Sequence, residues 1–99
     1  MPSYSADDLA KVFIGHVRQK GAENGLVPVE QTVTDSGVTV TFQVMGDNGD
    51  TGERVNITAS RSDLEEQVKH PLRFDEFLAR ACTPAFDAMR AIRAEAKAE

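Results

Sequence analysis

Asp47 and Asp50 stand in the stretch MGDNGDTGE, residues 45–53, where three acidic residues and three glycines share nine positions. Carboxylates on a glycine-rich loop are the raw material of a calcium site. An EF-hand loop begun at Asp47 needs oxygen ligands at its first, third and fifth positions, glycine at the sixth and glutamate at the twelfth. Those positions hold Asp47, Gly49, Thr51, Gly52 and Thr58. Two ligands are missing, the bidentate glutamate among them. Asp47 and Asp50 would hold a cation only weakly, and the stretch reads as a turn between two strands.

The remaining reactive residues do not assemble by spacing. Cys82 precedes Thr83-Pro84. A helix beginning there would put the thiol at its positive end and lower its pKa; the plainer reading is a small buried apolar residue. His16 falls on the apolar side of a helical pattern. His70 sits before Pro71 among Arg61, Lys69 and Arg73, and no ligand-pair spacing ties either histidine to Cys82. The pairs Glu65-Glu66 and Asp75-Glu76 open helical segments, where the helix dipole favours acids without any acid–base role. There is no phosphate-cradling glycine loop and no nucleophile elbow. The expectation is a protein that is not an enzyme and needs no metal or cofactor.

Binding chemistry is better represented. Arg90, Arg93 and Lys97 fall at i, i+3 and i+7, a basic stripe on the last helical segment, and Arg73 and Arg80 form an earlier pair at i, i+7. Such a stripe can neutralise phosphates and release their counterions. It can equally be a solvated face, since Asp87 and Glu95 are interspersed. Ala85, Met89, Ile92 and Ala96 line the apolar side of the same segment, which has more apolar length than one small core needs and points to self-association.

Elements must position these residues. The 99 residues are expected to form one domain, 40% hydrophobic and 27% charged, with net charge −5. The first fifty residues carry three basic and seven acidic side chains, the rest eight and nine, so nucleic acid binding would need a local basic face, doubled by dimerisation. A single cysteine, an acidic start without the order of a signal peptide, and no long apolar run fit a soluble cytoplasmic protein. Ser5 and Asp8 cap an amphipathic helix carrying Leu9, Val12, Phe13, His16, Val17 and Lys20, ended by KGAENG. Val27, Val29 and Val33, then Val38, Val40, Phe42 and Val44, then Val55, Ile57 and Ala59 keep strict period two. Asp35-Ser36-Gly37 turns the first pair into a hairpin, and Pro28 places the first strand at an edge. Ser62 with Glu65 caps a short helix carrying Leu64 and Val68, closed by Pro71. From Leu72 the chain is helical, with Phe74, Phe77, Leu78, Ala81, Ala85, Ala88, Met89, Ile92 and Ala96 on its apolar side; Pro84 kinks or breaks it, with Thr83 capping a new helix. The expected fold class is α+β: an N-terminal helix, a three-stranded antiparallel meander, a short helix and a long kinked C-terminal helix in two layers.

Ser36-Gly37, Val38 and Val40, Gly46, Arg54-Val55-Asn56-Ile57 and Leu64-Glu65, followed by an alanine-rich terminal helix, resemble the layout of the YbaB/EbfC nucleoid-associated proteins over about two-thirds of the chain. The resemblance implies a homodimer that binds DNA with little sequence preference, with Arg80, Arg90, Arg93 and Lys97 at phosphates. A shorter stretch, RVNITASRSDLEEQVKHPLRFDEFL, is similar to the small effector subunits of soluble di-iron monooxygenases, which act by docking on a larger enzyme. An acidic domain that mimics nucleic acid before a basic protein is the third expectation. The partners expected are therefore a second copy, DNA or a larger protein, and no membrane.

Overall fold

The computed structural model describes residues 6–47, 49–69 and 73–98. Its elements are α1 (Ala6–Glu23), β1 (Leu26–Thr34), β2 (Gly37–Gly46), β3 (Gly49–Ser60), α2 (Arg61–Lys69) and α3 (Phe74–Ala98). The strands form one antiparallel sheet in the order β1-β2-β3. The fold is α+β, with the helices packed on one face of a meander. Ser5, His70, Pro71 and Leu72 lie outside the described residues.

Strand β2 is the axis of the molecule. Val38, Val40, Phe42 and Val44 alternate with Thr39, Thr41 and Gln43, and all four apolar side chains are fully buried. On β3, Val55, Ile57 and Ala59 join the same core. The other face of the sheet is polar and hydrogen-bonded across strands: Thr39 meets Thr58 at 3.2 Å, and Thr41 donates to Asn56 at 2.8 Å. One row is greasy and the other polar because side chains alternate strictly along a pleated strand.

β1 departs from the simple alternation. It is the edge strand that Pro28 requires, but its register shifts between Pro28 and Glu30, leaving Val29 as the extra residue of a bulge. Leu26 pairs with Val44 and fills the core, whereas Val27 pairs with Gln43 and so faces the polar side. Val27, Val29 and Val33 are 44%, 41% and 56% exposed. A single bulge is enough to break a period-two pattern, because one inserted residue reverses every side chain beyond it.

α1 covers the sheet with Leu9, Ala10, Phe13 and Val17, and Val12 points outward. Gly21 does not stop this helix. It lies within it, where a Cβ would stand 2.6 Å from the Phe42 ring, so its missing side chain lets the helix settle on β2. The stop comes at Asn24 and Gly25: Asn24 Nδ2 donates to the Lys20 carbonyl at 2.8 Å, and Gly25 takes φ +77°. At the start of α2 the cap is Ser60 rather than Ser62. Its Oγ accepts the Asp63 N–H at 3.1 Å, while the Arg61 N–H donates to the Ser36 carbonyl at 2.9 Å and ties α2 to the β1–β2 turn.

α3 runs through Pro84 without a break. Thr83 caps no new helix; its hydroxyl donates back to the Ala79 carbonyl at 2.8 Å. Pro84 has no N–H for the Arg80 carbonyl, but both residues are exposed, so water can meet the orphaned acceptor. Phe77, Leu78, Cys82, Ala85 and Met89 are buried, with Phe74, Ala81, Phe86 and Ile92 partly so, while Ala88 and Ala96 are exposed. Among the described residues no helix is long and apolar enough to cross a membrane.

Gly37 opens β2 at φ +150°, where a Cβ would meet the Ala59 carbonyl oxygen at 2.3 Å. Gly37→Ala is expected to lower the unfolding free energy by about 2 kcal/mol or more. Gly15→Ala, in a helix with nothing within 4 Å of the added carbon, should raise it by about 0.5–1 kcal/mol. Urea unfolding of the two variants measures both.

Candidate functional site

Three places collect chemistry-bearing side chains: the tip of the β2–β3 hairpin, the arginines of α3, and a groove between α1 and α3. The hairpin tip is tighter than a nine-residue loop. Gly46 pairs with Gly49, and the strands continue on both sides. Gly49 and Gly52 take φ +102° and +80°, conformations that glycine adopts without steric cost. Asp50 spends its carboxylate locally, one oxygen accepting the Gly52 N–H at 2.8 Å and the other accepting from the Gln43 amide. Thr51 donates to the Val44 carbonyl at 2.8 Å. Asp47 is exposed at the tip. Among the described residues no three of His, Cys, Asp and Glu converge as metal ligands.

The arginines of α3 separate into two kinds. Arg93 is turned inward: Nε donates to the Met45 carbonyl at 2.8 Å and Nη2 to the Asn24 carbonyl at 2.6 Å. One planar guanidinium thus joins the end of β2, the cap of α1 and the last turns of α3. Gly25 is doubly constrained, since a Cβ there would lie 2.7 Å from that Nη2. The residue sought as part of a phosphate stripe is therefore committed to backbone. Its spacing carried the signal: Arg93 follows buried Met89 by four and lies on the same helical flank. Arg73, Arg80 and Arg90 are exposed, Arg90 in an ion pair with Asp87. The Lys97 side chain falls outside the described part of the structure. Of the residues expected to self-associate, Ala85 and Met89 are buried in the chain's own core, Ile92 is partly buried against it, and Ala96 is exposed.

The groove was not legible from spacing. Phe13 stacks at a tilt on Phe77, with ring centroids 6.0 Å apart, and Arg93 holds the far end of α1. Between these pins the two helices run parallel and leave a hollow of about 650 Å³. Val17, Leu78, Ala79 and Phe86 form its apolar lining; His16, Lys20, Glu23, Asp75 and Thr83 supply its polar groups. Lys20 pairs with Glu23 at 3.6 Å. His16 belongs to this rim and is exposed, not a boundary residue of the core. Cys82 also lines the hollow, yet it is only 5% exposed and sits in mid-helix. The helix end that would have activated it does not exist, and burial pushes the thiol pKa above its ordinary 9.0, opposed by the nearby Lys20 charge. The thiol is neutral near pH 7 and a poor nucleophile.

Two expected outcomes follow from this geometry. Arg93→Ala should cost about 1–3 kcal/mol of stability, as for other hydrogen bonds from a charged donor, whereas Arg80→Ala should stay within about 0.5 kcal/mol; thermal unfolding of both compares them. Since Cys82 keeps its proton to higher pH in the folded chain than in the unfolded one, stability is fully present below the ordinary thiol pKa and falls as pH rises through the raised value. Urea titrations at about pH 8 and pH 10 should show a decline in the wild type from this group that Cys82→Ala lacks.

No family model, curated protein or solved structure matches this chain.

Proposed function

We propose that this chain is a non-catalytic binding protein that acts as a homodimer and offers the outer arginines of α3 to a nucleic-acid backbone. The observation that carries the reading is the division of labour on α3. Its apolar flank is committed to the sheet, while Arg80 and Arg90 remain exposed along the same 25-residue rod and Arg73 is exposed just before its first turn. The Arg90–Asp87 pair is solvent-exposed, and such pairs contribute little, so a phosphate can displace the carboxylate. Dimerisation doubles the basic surface, which a chain of net charge −5 requires. The layout shared with the YbaB/EbfC proteins agrees with this reading. Arg93 takes no part in it.

The groove favours a second reading, an accessory protein that docks on a larger partner. An apolar hollow of this volume with a polar rim is suited to receiving side chains from another protein.

Gel-shift titration with random duplex DNA at two salt concentrations separates the two. The nucleic-acid reading predicts a shift at low salt. If a dimer neutralises roughly six phosphates, the affinity should fall with a log–log salt slope of about −5. The triple variant Arg73→Ala, Arg80→Ala, Arg90→Ala should lose the shift. Absence of any shift at low salt ends that reading. A docking protein would ignore the duplex, and its partner's binding would survive the triple variant but fail with Ala79→Trp, which fills the groove.

A further inference from the structure

Each edge of the sheet is guarded over one half only, and the two unguarded halves differ in the apolar surface they expose. Exposed edges present unpaired N–H and C=O groups, and proteins blunt them with charges, bulges and proline. On β3, Glu53, Arg54 and an irregularity opposite Val44 guard the first half, and from Val55 to Ser60 the edge has no charge but keeps its apolar side chains, Val55, Ile57 and Ala59, buried. On β1, Pro28, the bulge at Val29 and Glu30 protect only the first half. From Gln31 to Val33 the edge has no charge, no proline and no bulge, and Val33 is 56% exposed.

The hairpin determines which backbone groups are free. Thr34 and Gly37 flank a two-residue connection, and such a connection closes on a hydrogen-bonded pair. Ladder alternation then turns the backbone groups of Thr34 and Thr32 toward β2 and those of Val33 and Gln31 outward. Both outward residues have partners on the helix-facing side of β2, Val40 for Gln31 and Val38 for Val33.

We infer that this half-edge pairs with the same half-edge of a second copy, antiparallel about a twofold axis at Thr32, making one six-stranded sheet. The inference rests on the homodimer proposed above and supplies its interface. In this register Gln31 and Val33′ exchange both backbone hydrogen bonds, as do Val33 and Gln31′, so all free groups of the segment are used. Val33 covers the aliphatic part of Gln31′ on the helix side. Glu30 falls opposite Thr34′, which keeps the two acids apart. On the polar face Thr32 meets Thr32′. Thr32 already pairs with Thr39, and Thr39 bonds Thr58, so the axis extends an existing three-threonine row into a continuous row of six. A partner of unrelated sequence would not reproduce that match.

The test uses the full chain with Cys82→Ala to remove the native thiol. Antiparallel non-hydrogen-bonded pairs have Cα atoms about 4.5 Å apart, within disulfide range, so Thr32→Cys should oxidise to a covalent dimer. Glu30→Cys, about 13 Å from its symmetry mate along the strands, should not. Val33→Lys, at an exposed site, should convert the dimer to monomer in sedimentation equilibrium, with circular dichroism reporting an intact fold. A monomeric wild type at about 100 μM, where a standard interface is populated, would overturn the homodimer and this interface together. A dimer that persists in Val33→Lys and leaves Thr32→Cys unlinked would overturn the interface alone and place self-association elsewhere, on the β3 edge or on α3.

Discussion

The row Val38, Val40, Phe42 and Val44 on the central strand is what the rest of the molecule is built around. Each of these side chains is excluded from water, and burying one such group stabilises a fold by about 1.5–3 kcal/mol. One strand cannot bury its own side chains. The row therefore needs β1 and β3 as flanks and two helices as a lid. The lid sits close only because Gly21 leaves room for the Phe42 ring. The opposite face of the strand carries hydrogen-bonding side chains that satisfy one another across the ladder. The sheet thus has one dry side and one wet side, and that asymmetry puts all the helices on a single layer.

A one-layer lid of two parallel helices leaves a seam, and the seam is pinned at both ends. Phe13 and Phe77 close one end by apolar contact; Arg93 closes the other by donating to the Asn24 and Met45 carbonyls. The second pin is the more informative. Both acceptors lie at ends of elements, where carbonyls lack regular partners, and a charged planar donor can satisfy two of them at once. The same bonds withdraw an arginine from the surface, so the charge presented outward by α3 is smaller than its composition suggests. Between the pins the groove exposes a short apolar floor beneath His16, Lys20, Glu23 and Asp75. Arg61 plays a comparable role at the start of α2, bonding Asp7 of α1 at 2.7 Å and lying 3.5 Å from Glu65. These are exposed ion pairs that orient elements more than they stabilise them.

The surfaces that remain for partners follow from how each edge and flank is spent. β3 carries its charges in its first half and keeps the apolar side chains of its second half buried. β1 spends its first half on proline and a bulge, leaving Gln31 to Val33 as the accessible ladder. α3 spends one flank on the sheet and shows arginines on the other. A small acidic chain with these surfaces has contact chemistry to offer, and its buried thiol is held in the unreactive form.

Composition and periodicity alone determined the element order, the α+β class, the β1–β2 hairpin, the edge position of β1 and the core role of β2 and β3. These depend on local rules, namely period two, turn chemistry at Asp35-Ser36-Gly37 and the missing donor of Pro28, which act within a few residues. The connection between β2 and β3 was legible too, because closely spaced glycines and short polar residues mark a turn locally. Tertiary packing decided the rest. It set Val27 on the polar face opposite Gln43, put Val29 in a bulge, and left Val33 exposed at the sheet edge although it pairs with buried Val38. It kept α3 whole across Pro84, because the orphaned carbonyl faces water, and so removed the helix end that Cys82 would have needed. It also made Gly21 a contact surface instead of a stop, and turned Arg93, indistinguishable from Arg90 by residue type, into a clamp. For Gly21 and Arg93 the deciding neighbours, Phe42 and the Met45 and Asn24 carbonyls, are remote in the chain, and spacing can place a residue on a flank without naming what it meets there.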